Sequence, residues 1–403
     1  MHILLIHQAF AALDEPGGTR HHEMARYLAH QGHQVSIITS PVSYLTGEDQ
    51  KKKKYEEDMD GLIHIYRTYT YPALHKSFVH RIFSFTSFMI SSFFRAVTIK
   101  KVDLIWGTTP PIFQSFTAWL VSRLKRVPFL LEVRDLWPEF AIAVGVLQNP
   151  LLIRLSLWLE RFLYRHADRI VVNSPGFVEH VKGRGGRKIS VIPNGSDIAL
   201  IGIENQRKAR SELGWPEKFS VLYAGAHGMS NDLEIILKAA ELLKNIIDIS
   251  IIFLGDGKEK PGLISLADKM ALPNVMFLDP IPKKLISKSL AAADACIAIL
   301  KPIEMYKTTY PNKVFDYMAA RKPIILAIDG VIRDVVEDAG CGIYCPPGDP
   351  ARLSEAIMFL YNNQEKAKDM GMQGRKFLEK HFDRKTIANQ LFQLFEEMVM
   401  KNG

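Results

Sequence analysis

The stretch 311-PNKVFDYM-318 sets a lysine and an aspartate three residues apart where a helix is expected to open. A cation in a first helical turn faces the positive end of the helix dipole, so Lys313 is mildly unfavourable unless an anion lies beside it. The first-turn amides, opened by Asn312, and the Lys313 ammonium together make a place for a phosphate group, and a diphosphate suits it. Asp316 falls on the same face one turn on. A carboxylate next to a phosphate site can take the hydroxyl protons of a ribose. The plain alternative is an exposed lysine and a solvated aspartate.

Other stretches have chemistry of the same kind. In 16-PGGTRHHE-23, Gly17 and Gly18 let backbone approach a ligand closely, and the helix that follows offers its amides to an anion. In 132-EVRDLWPE-139, Arg134, Asp135 and Glu139 beside a tryptophan suit a polar, ring-shaped ligand, or else Arg134 makes a structural ion pair with a neighbouring acid. Thr109 in 107-GTTPPIF-113 and Asn194 in 194-NGSD-197 sit in turns after apolar runs. So do Gly225 in 224-AGAHGMSND-232 and Gly255 and Gly257 in 254-LGDGKEK-260. The D-x-D at 58-DMD-60 lies in a highly charged segment expected to be a loop, not at the end of an apolar strand, so no metal site is expected there. No H-E-x-x-H, G-x-S-x-G, P-loop or dinucleotide fingerprint occurs.

Stepping outward, the elements that must hold these residues alternate. Short apolar runs at 3–7, 34–39, 103–107, 129–133, 169–174 and 189–193 are separated by helical patterns such as 21–32, which Gly32 stops. The rhythm restarts at 219–225 and continues through 249–257, 275–279, 295–300, 323–326 and 343–346. This alternation predicts parallel sheets wrapped in helices, in two doubly wound domains. The polar stretch 198–218 reads as the linker, and 383–400 as a helix with Leu391, Leu394, Phe395 and Met398 on one face. Ligands in such sheets bind beyond the carboxyl ends of the strands, which is where the loops above fall.

A chain of 403 residues with 47% hydrophobic content suits two cores. Its net charge of +8 is unevenly spread: residues 1–198 hold 24 Lys and Arg against 17 Asp and Glu, and the remainder is nearly neutral. That favours an acidic or phosphorylated partner for the first half. The three cysteines form no disulfide framework and fit a reducing compartment. The opening MHILLIHQAF lacks the basic and small-residue marks of a signal peptide and reads as a first strand. Residues 78–101 are aromatic, basic at both ends and too short in their uncharged part to span a bilayer, and 150–166 is similar. Each reads either as a buried helix with polar ends or as one lying on anionic lipid. The positive charge is not gathered on a recognition element, which argues against nucleic acid.

The loops in their order and spacing resemble family 4 glycosyltransferases of the GT-B fold, in particular the WbuB-like branch that builds bacterial O-antigens and capsules. The likeness runs through 17-GGTRHHEMARYLAHQGHQVSIIT-39, 132-EVRDLWPE-139, 192-IPNGSD-197, 222-LYAGAHG-228, 254-LGDG-257, 311-PNKVFDYMAARKPIIL-326 and 340-GCGIYCPPGDP-350. It implies an α/β architecture of two Rossmann-like doubly wound domains facing a central cleft. Residues 1–200 would bind the acceptor, 201–380 the nucleotide-sugar, and 381–403 would form a C-terminal helix crossing back to the N-terminal domain. It implies retaining, metal-independent transfer from a nucleotide-sugar, with UDP the expected base carrier, to a polyprenyl-diphosphate-linked or polysaccharide acceptor. The enzyme would be cytoplasmic and peripheral on the inner face of the membrane, against an anionic lipid surface. No cofactor is expected. On this likeness Asp135, Lys313 and Arg20 are the catalytic candidates. The donor candidates are Gly17, Gly18, Asn194, Gly225, Gly255, Gly257, Asn312, Lys313 and Asp316, and the acceptor candidates are His21, His22, Arg134, Glu139 and Thr109. The chain departs from the family where an earlier glutamate would stand, at Thr308, and in the loop 225–232, which lacks the usual Arg and Lys. Lys313 is the candidate replacement charge, and the first departure favours a front-face mechanism. An epimerase or hydrolase on the same fold and a non-catalytic nucleotide-sugar-binding subunit are the alternatives.

Overall fold

A computed structural model describes residues 1–43, 47, 49, 52–72 and 78–401, and divides them into two compact units. Unit 1 comprises Met1–Ala12, Gly18–Pro193 and Lys385–Gly403, and unit 2 comprises Leu13–Gly17 and Asn194–Arg384.

The sheet of unit 1 is built from β1 (His2–Ile6), β2 (Gln34–Thr39), β3 (Tyr55–Asp58), β4 (Ile63–Arg67), β5 (Leu104–Thr109), β6 (Phe129–Val133), β7 (Arg169–Val172) and β8 (Ile189–Val191). Their order is β3-β4-β2-β1-β5-β6-β7-β8, parallel except for β3. Unit 2 holds β9 (Phe219–Ala224), β10 (Ile249–Leu254), β11 (Val275–Leu278), β12 (Ala295–Ile299), β13 (Ile324–Ala327) and β14 (Gly342–Tyr344), ordered β11-β10-β9-β12-β13-β14 and parallel throughout. The central strands are mainly apolar because helices cover both faces: every residue of β5, β6, β9, β10 and β12 is buried, including the few polar ones such as Glu132. Strand order reverses between β1 and β5 in unit 1 and between β9 and β12 in unit 2. In open α/β sheets the loops leaving the strands at such a reversal surround the ligand.

Two expectations need correction. Residues 198–218 are not a free linker: Gln206–Leu213 is a helix capped by Asn205, whose side chain accepts from the Lys208 amide at 3.0 Å. Its Arg210 pairs with Asp294, and Ile201, Ala209 and Trp215 are buried in the core of unit 2 beside Leu222 and Met318. The polar residues are the outer face of a short helix, and the sparse apolar ones carry its packing. The segment around 58-DMD-60 is also not wholly a loop, since Tyr55–Asp58 is an antiparallel edge strand on β4. The charges there suit an edge, where they discourage further pairing.

The helix Arg384–Met400 buries Leu391, Leu394, Phe395 and Met398, and the Phe395 ring meets Trp106 edge-on at 5.5 Å. From Lys385 onward the chain counts with unit 1.

Candidate functional site

In unit 2 the helix Asn312–Ala319 is anchored by Tyr317, whose buried hydroxyl takes the Ala224 amide at 3.1 Å and reaches the Ile297 carbonyl at 3.2 Å. Tyr317 thereby fixes the helix to the ends of β9 and β12. One turn earlier on the same face, Lys313 reaches the loop after β9. Its Nζ donates to the Tyr223 hydroxyl at 2.7 Å and lies 3.9 Å from the centre of that ring. The Tyr223 hydroxyl donates a hydrogen bond to the Ala226 carbonyl at 2.7 Å, and burial keeps the phenol protonated. Gly225, at φ 144°, makes room: a Cβ there would stand 3.0 Å from the lysine nitrogen. Among the described residues no carboxylate lies within salt-bridge reach of Lys313, and desolvation pulls its ammonium down to about 7. His227, fully buried nearby, adds no second positive charge, because burial, with Lys260 and Lys313, lowers it to about 4 and leaves it neutral. The arrangement is a cation in the first turn of a helix, beside glycine backbone, whose side-chain partner among the described residues is the neutral Tyr223.

Asp316 is better furnished. Its Oδ1 accepts from Ser196 Oγ at 2.7 Å, and its Oδ2 from Asn312 Nδ2 at 3.3 Å and from the Lys283 ammonium. Both members of the Lys283–Asp316 pair are nearly buried. Asn312 is held in turn by Arg384, whose Nη2 donates to Asn312 Oδ1 at 3.1 Å and also to the Gly195 carbonyl. Asn194 donates to the Tyr310 carbonyl at 2.7 Å. Asn194, Asn312, Lys313 and Asp316 are thus gathered around one helix N-terminus. Gly255 and Gly257 have a different immediate reason for being glycine. A Cβ on Gly255 would fall 2.0 Å from the Gly225 carbonyl, and one on Gly257 2.5 Å from that of His227, so the loops after β9 and β10 cross in backbone contact. Gly17 belongs to unit 2, and Gly18, with nothing within 4 Å of a Cβ, to unit 1.

In unit 1 the candidates form a buried charge network around Glu132, a residue inside the quoted 132–139 stretch that was given no role. Glu132 is fully buried and accepts from Arg20 Nε at 2.9 Å, His21 Nε2 at 2.7 Å and Trp106 Nε1 at 3.0 Å. Burial works to raise its pKa, but His21 and Arg20 together outweigh it and hold the carboxylate ionised. Arg20 uses its remaining nitrogens on the carbonyls of Pro193 at 2.7 Å and Ile192 at 2.9 Å. Burial lowers His21 to about 4, so its ring is neutral and donates through Nε2. Arg134 Nη1 donates to His7 Nε2 at 2.9 Å, which fixes the proton of His7 on Nδ1, facing Thr108 Oγ1 at 2.8 Å. Burial first, then His21 and Arg134, keep His7 neutral. Asp135 has a buried Oδ1 without a hydrogen-bond partner among the described residues, and burial, only partly opposed by Arg134, raises its carboxyl to about 7. Thr109 donates to the Asp135 carbonyl at 3.4 Å.

The network does not include His22, which pairs with Asp58 at 2.9 Å, or Glu139, which pairs with Arg184. Of the acids in that stretch, Glu139 is in an ion pair with Arg184. Sequence reading passed over His7, Tyr223, Ser196 and Lys283. His7 and Tyr223 stand at or beside the carboxyl ends of β1 and β9, so the strand-end rule could have found them. Ser196 lies inside the quoted 194–197 turn, whereas Lys283 has no local signal at all.

A shallow groove of about 660 Å³ runs along the helix Pro150–His166, lined by Arg154, Trp158, Arg161, Phe162 and Arg165 among others, and none of the candidates above lines it. The inward face of that helix is Ser156, Glu160, Leu163 and Tyr164, while Leu151, Leu155 and Trp158 are exposed, Trp158 by 59%. The helix Phe78–Thr98 likewise exposes Phe83, Ile90 and Phe94. Among the described residues no helix is long and apolar enough to cross a membrane.

Comparison with known proteins adds family and fold. A model of the glycosyl transferase 4-like domain matches residues 17–195, and one of glycosyl transferases group 1 matches 205–377. A protein of Escherichia coli (strain K12) named as the colanic acid biosynthesis glycosyl transferase WcaI is 25% identical over 74% of this chain and 76% of its own length. Sucrose-phosphate synthase from Thermosynechococcus elongatus superposes with a TM-score of 0.81 at 20% identity, over 99% of each chain. HepE of Anabaena, solved in complex with UDP-glucose, gives a TM-score of 0.74 at 18% identity, over 98% of this chain and all of its own (100%). These solved structures share the fold of two parallel-sheet α/β domains.

Proposed function

From the premise that the chain belongs to the family 4 glycosyltransferases, we propose that unit 2 carries a nucleotide-sugar donor and unit 1 a phosphorylated acceptor. The observation that carries this reading is Lys313, a desolvated cation in a first helical turn whose polar partner is a neutral phenol. A diphosphate supplies the missing negative charge, and the helix amides add to its binding. Asp316 then accepts from the ribose. The WcaI likeness favours bacterial cell-surface glycan synthesis, and the UDP-glucose held by HepE favours a UDP-sugar.

In the reaction the bond between the anomeric carbon and the diphosphate oxygen breaks while a bond to the acceptor oxygen forms on the same face. The acceptor proton passes to the departing phosphate oxygen. Same-face attack retains the anomeric configuration, and Lys313 with the helix N-terminus stabilises the charge that develops on the leaving group in place of a metal. The exposed apolar and arginine-bearing surfaces of helices 78–98 and 150–166 suit an acceptor linked to lipid in an anionic membrane.

Calorimetric titration of the wild type and Lys313→Met with UDP tests the reading. The variant is expected to lose about tenfold or more in affinity, the size of one charge-assisted contact. Unchanged affinity removes Lys313 from the donor site.

A further inference from the structure

Lys283 presents chemistry that neither the family likeness nor the donor reading assigns. It follows β11 in 280-PIPKKL-285, where it opens a short turn of helix, Lys283–Leu285, directly after Pro282. Its amide donates to the Glu15 carbonyl at 3.3 Å, and that of Lys284 to the Leu13 carbonyl at 3.2 Å. The backbone is therefore pinned, and the side chain, only 10% exposed, lies along a fixed path to Asp316 Oδ2.

An ionised carboxylate has about four acceptor positions. Asp316 has committed three, to Ser196, Asn312 and Lys283. An ammonium has three protons to give, and among the described residues the side-chain hydrogen bond of Lys283 goes to Asp316 alone. A hydroxyl both gives and takes. One placed against this pair can donate to the carboxylate and accept from the ammonium at once, satisfying both buried charges without separating them.

We propose that Lys283 is a specificity-determining residue of the donor site, reading the sugar hydroxyls of the nucleotide together with Asp316. This rests on the reading of Asp316 as the ribose carboxylate. The ligand class is a nucleoside diphosphate with an intact ribose diol. The lysine accounts for a preference for ribo- over deoxyribonucleotide that a lone carboxylate would make weaker.

Calorimetry on the full chain compares UDP with 2′,3′-dideoxy-UDP in the wild type, Lys283→Met, Lys283→Arg and Asp316→Asn, with thermal melts to confirm folding. The wild type is expected to favour UDP by about tenfold or more, as for a charge-assisted hydrogen bond left unmade. Lys283→Met should weaken UDP by a similar factor, leave dideoxy-UDP within about twofold, and so collapse the preference, which Lys283→Arg should partly restore. Equal weakening of both ligands makes Lys283 a general charge for the diphosphate and overturns the inference. Tighter UDP binding by Lys283→Met makes the lysine a competitor of the ribose and also overturns it. If Asp316→Asn collapses the preference and Lys283→Met does not, only the inference about Lys283 fails. If Asp316→Asn leaves it intact, the ribose reading of Asp316 fails, and the inference falls with it. No binding of UDP, GDP or ADP by the wild type overturns the donor reading and the inference together.

Discussion

Glu132, near the end of β6, and Lys313, in the first turn of the 312–319 helix, are both charges held out of water, and the fold treats them oppositely. Glu132 receives donors from Arg20, His21 and Trp106, and its ionised form is secured. Lys313 receives the oxygen of a phenol and the face of its ring, and its charged form is penalised. Burial alone therefore does not mark a site. A buried charge whose partners are complete is holding the protein together. One whose partners are neutral is placed for something that arrives later. Both kinds stand at the strand-end positions where a doubly wound sheet binds ligands, so position without partner accounting would have mixed them.

Glu132→Gln leaves Arg20 buried against a neutral amide while its other nitrogens stay on Ile192 and Pro193. Removing one partner of a buried pair costs about 3–5 kcal/mol. Urea titration should show that loss in the transition of unit 1. A loss under about 1 kcal/mol, the size of an exposed pair, would mean the network is not structural.

Lys313 should behave in the reverse sense. Lys313→Met removes a desolvated cation, so it should hold or raise the melting temperature while weakening UDP binding by about tenfold or more. The wild type has a pH signature as well. The ligand-free fold holds this ammonium at about 7, against an ordinary 10.5. The unfolded chain binds the proton across that window, so the contribution of Lys313 to stability rises with pH from about 7 to 10.5. A bound diphosphate favours the proton instead. UDP affinity should therefore fall as pH rises above about 7, approaching tenfold per pH unit, with proton uptake on binding. Calorimetry in buffers of different ionisation enthalpy reads that uptake directly. Flat affinity from pH 7 to 9 in the wild type would place the diphosphate elsewhere.

Asp135 lies between the two cases, a carboxyl beside Arg134 that burial still lifts to about 7. The unfolded chain releases this proton near 3.8 and the folded one only near 7, so the contribution of Asp135 to stability falls with pH across that window. Asp135→Asn removes the fall. The variant should match the wild type near pH 4 and melt higher at pH 7.5, by about 2 °C or more for a chain of this size. It should be poorer in sugar transfer if Asp135 serves the reaction. A variant that melts lower at pH 7.5 would mean that the carboxylate is satisfied there.

Much of this was legible in the sequence because parallel sheets repeat one signal. The strands of both sheets were visible as apolar runs, apart from β3 and β4. β3 is a charged edge strand, and β4 alternates buried with half-buried residues, so neither forms an apolar run. Lys313 was legible as a charge in the wrong place. Its cost was not, because that depends on Tyr223, 90 positions away. The same holds for Arg20 and Glu132, 112 positions apart, and for Lys283 and Asp316, 33 apart. Sequence shows which residues can do chemistry. It does not show which are already occupied, because pairing is settled by strand order and loop crossing.

The helix 150–166 carries its basic charges exposed rather than buried. Arg154, Arg161 and Arg165 flank Leu151, Leu155 and Trp158 on its outer side, and its one acid, Glu160, faces inward to His180 at 2.8 Å. Against an anionic membrane each such arginine contributes about 1 kcal/mol, and the apolar residues add their burial in the interface. Arg161→Gln should weaken flotation with phosphatidylglycerol vesicles by about fivefold at low salt, and Trp158→Ala should weaken it at any salt. Salt sensitivity separates the two contributions, since screening reaches the charges and leaves apolar burial in place. The Kd for UDP in solution should stay unchanged in both variants, because both residues belong to unit 1 and the proposed donor contacts, Lys313 and Asp316, to unit 2. If both variants float like the wild type, this helix is not the lipid-facing surface, and the exposed apolar residues of helix 78–98 are next to be altered.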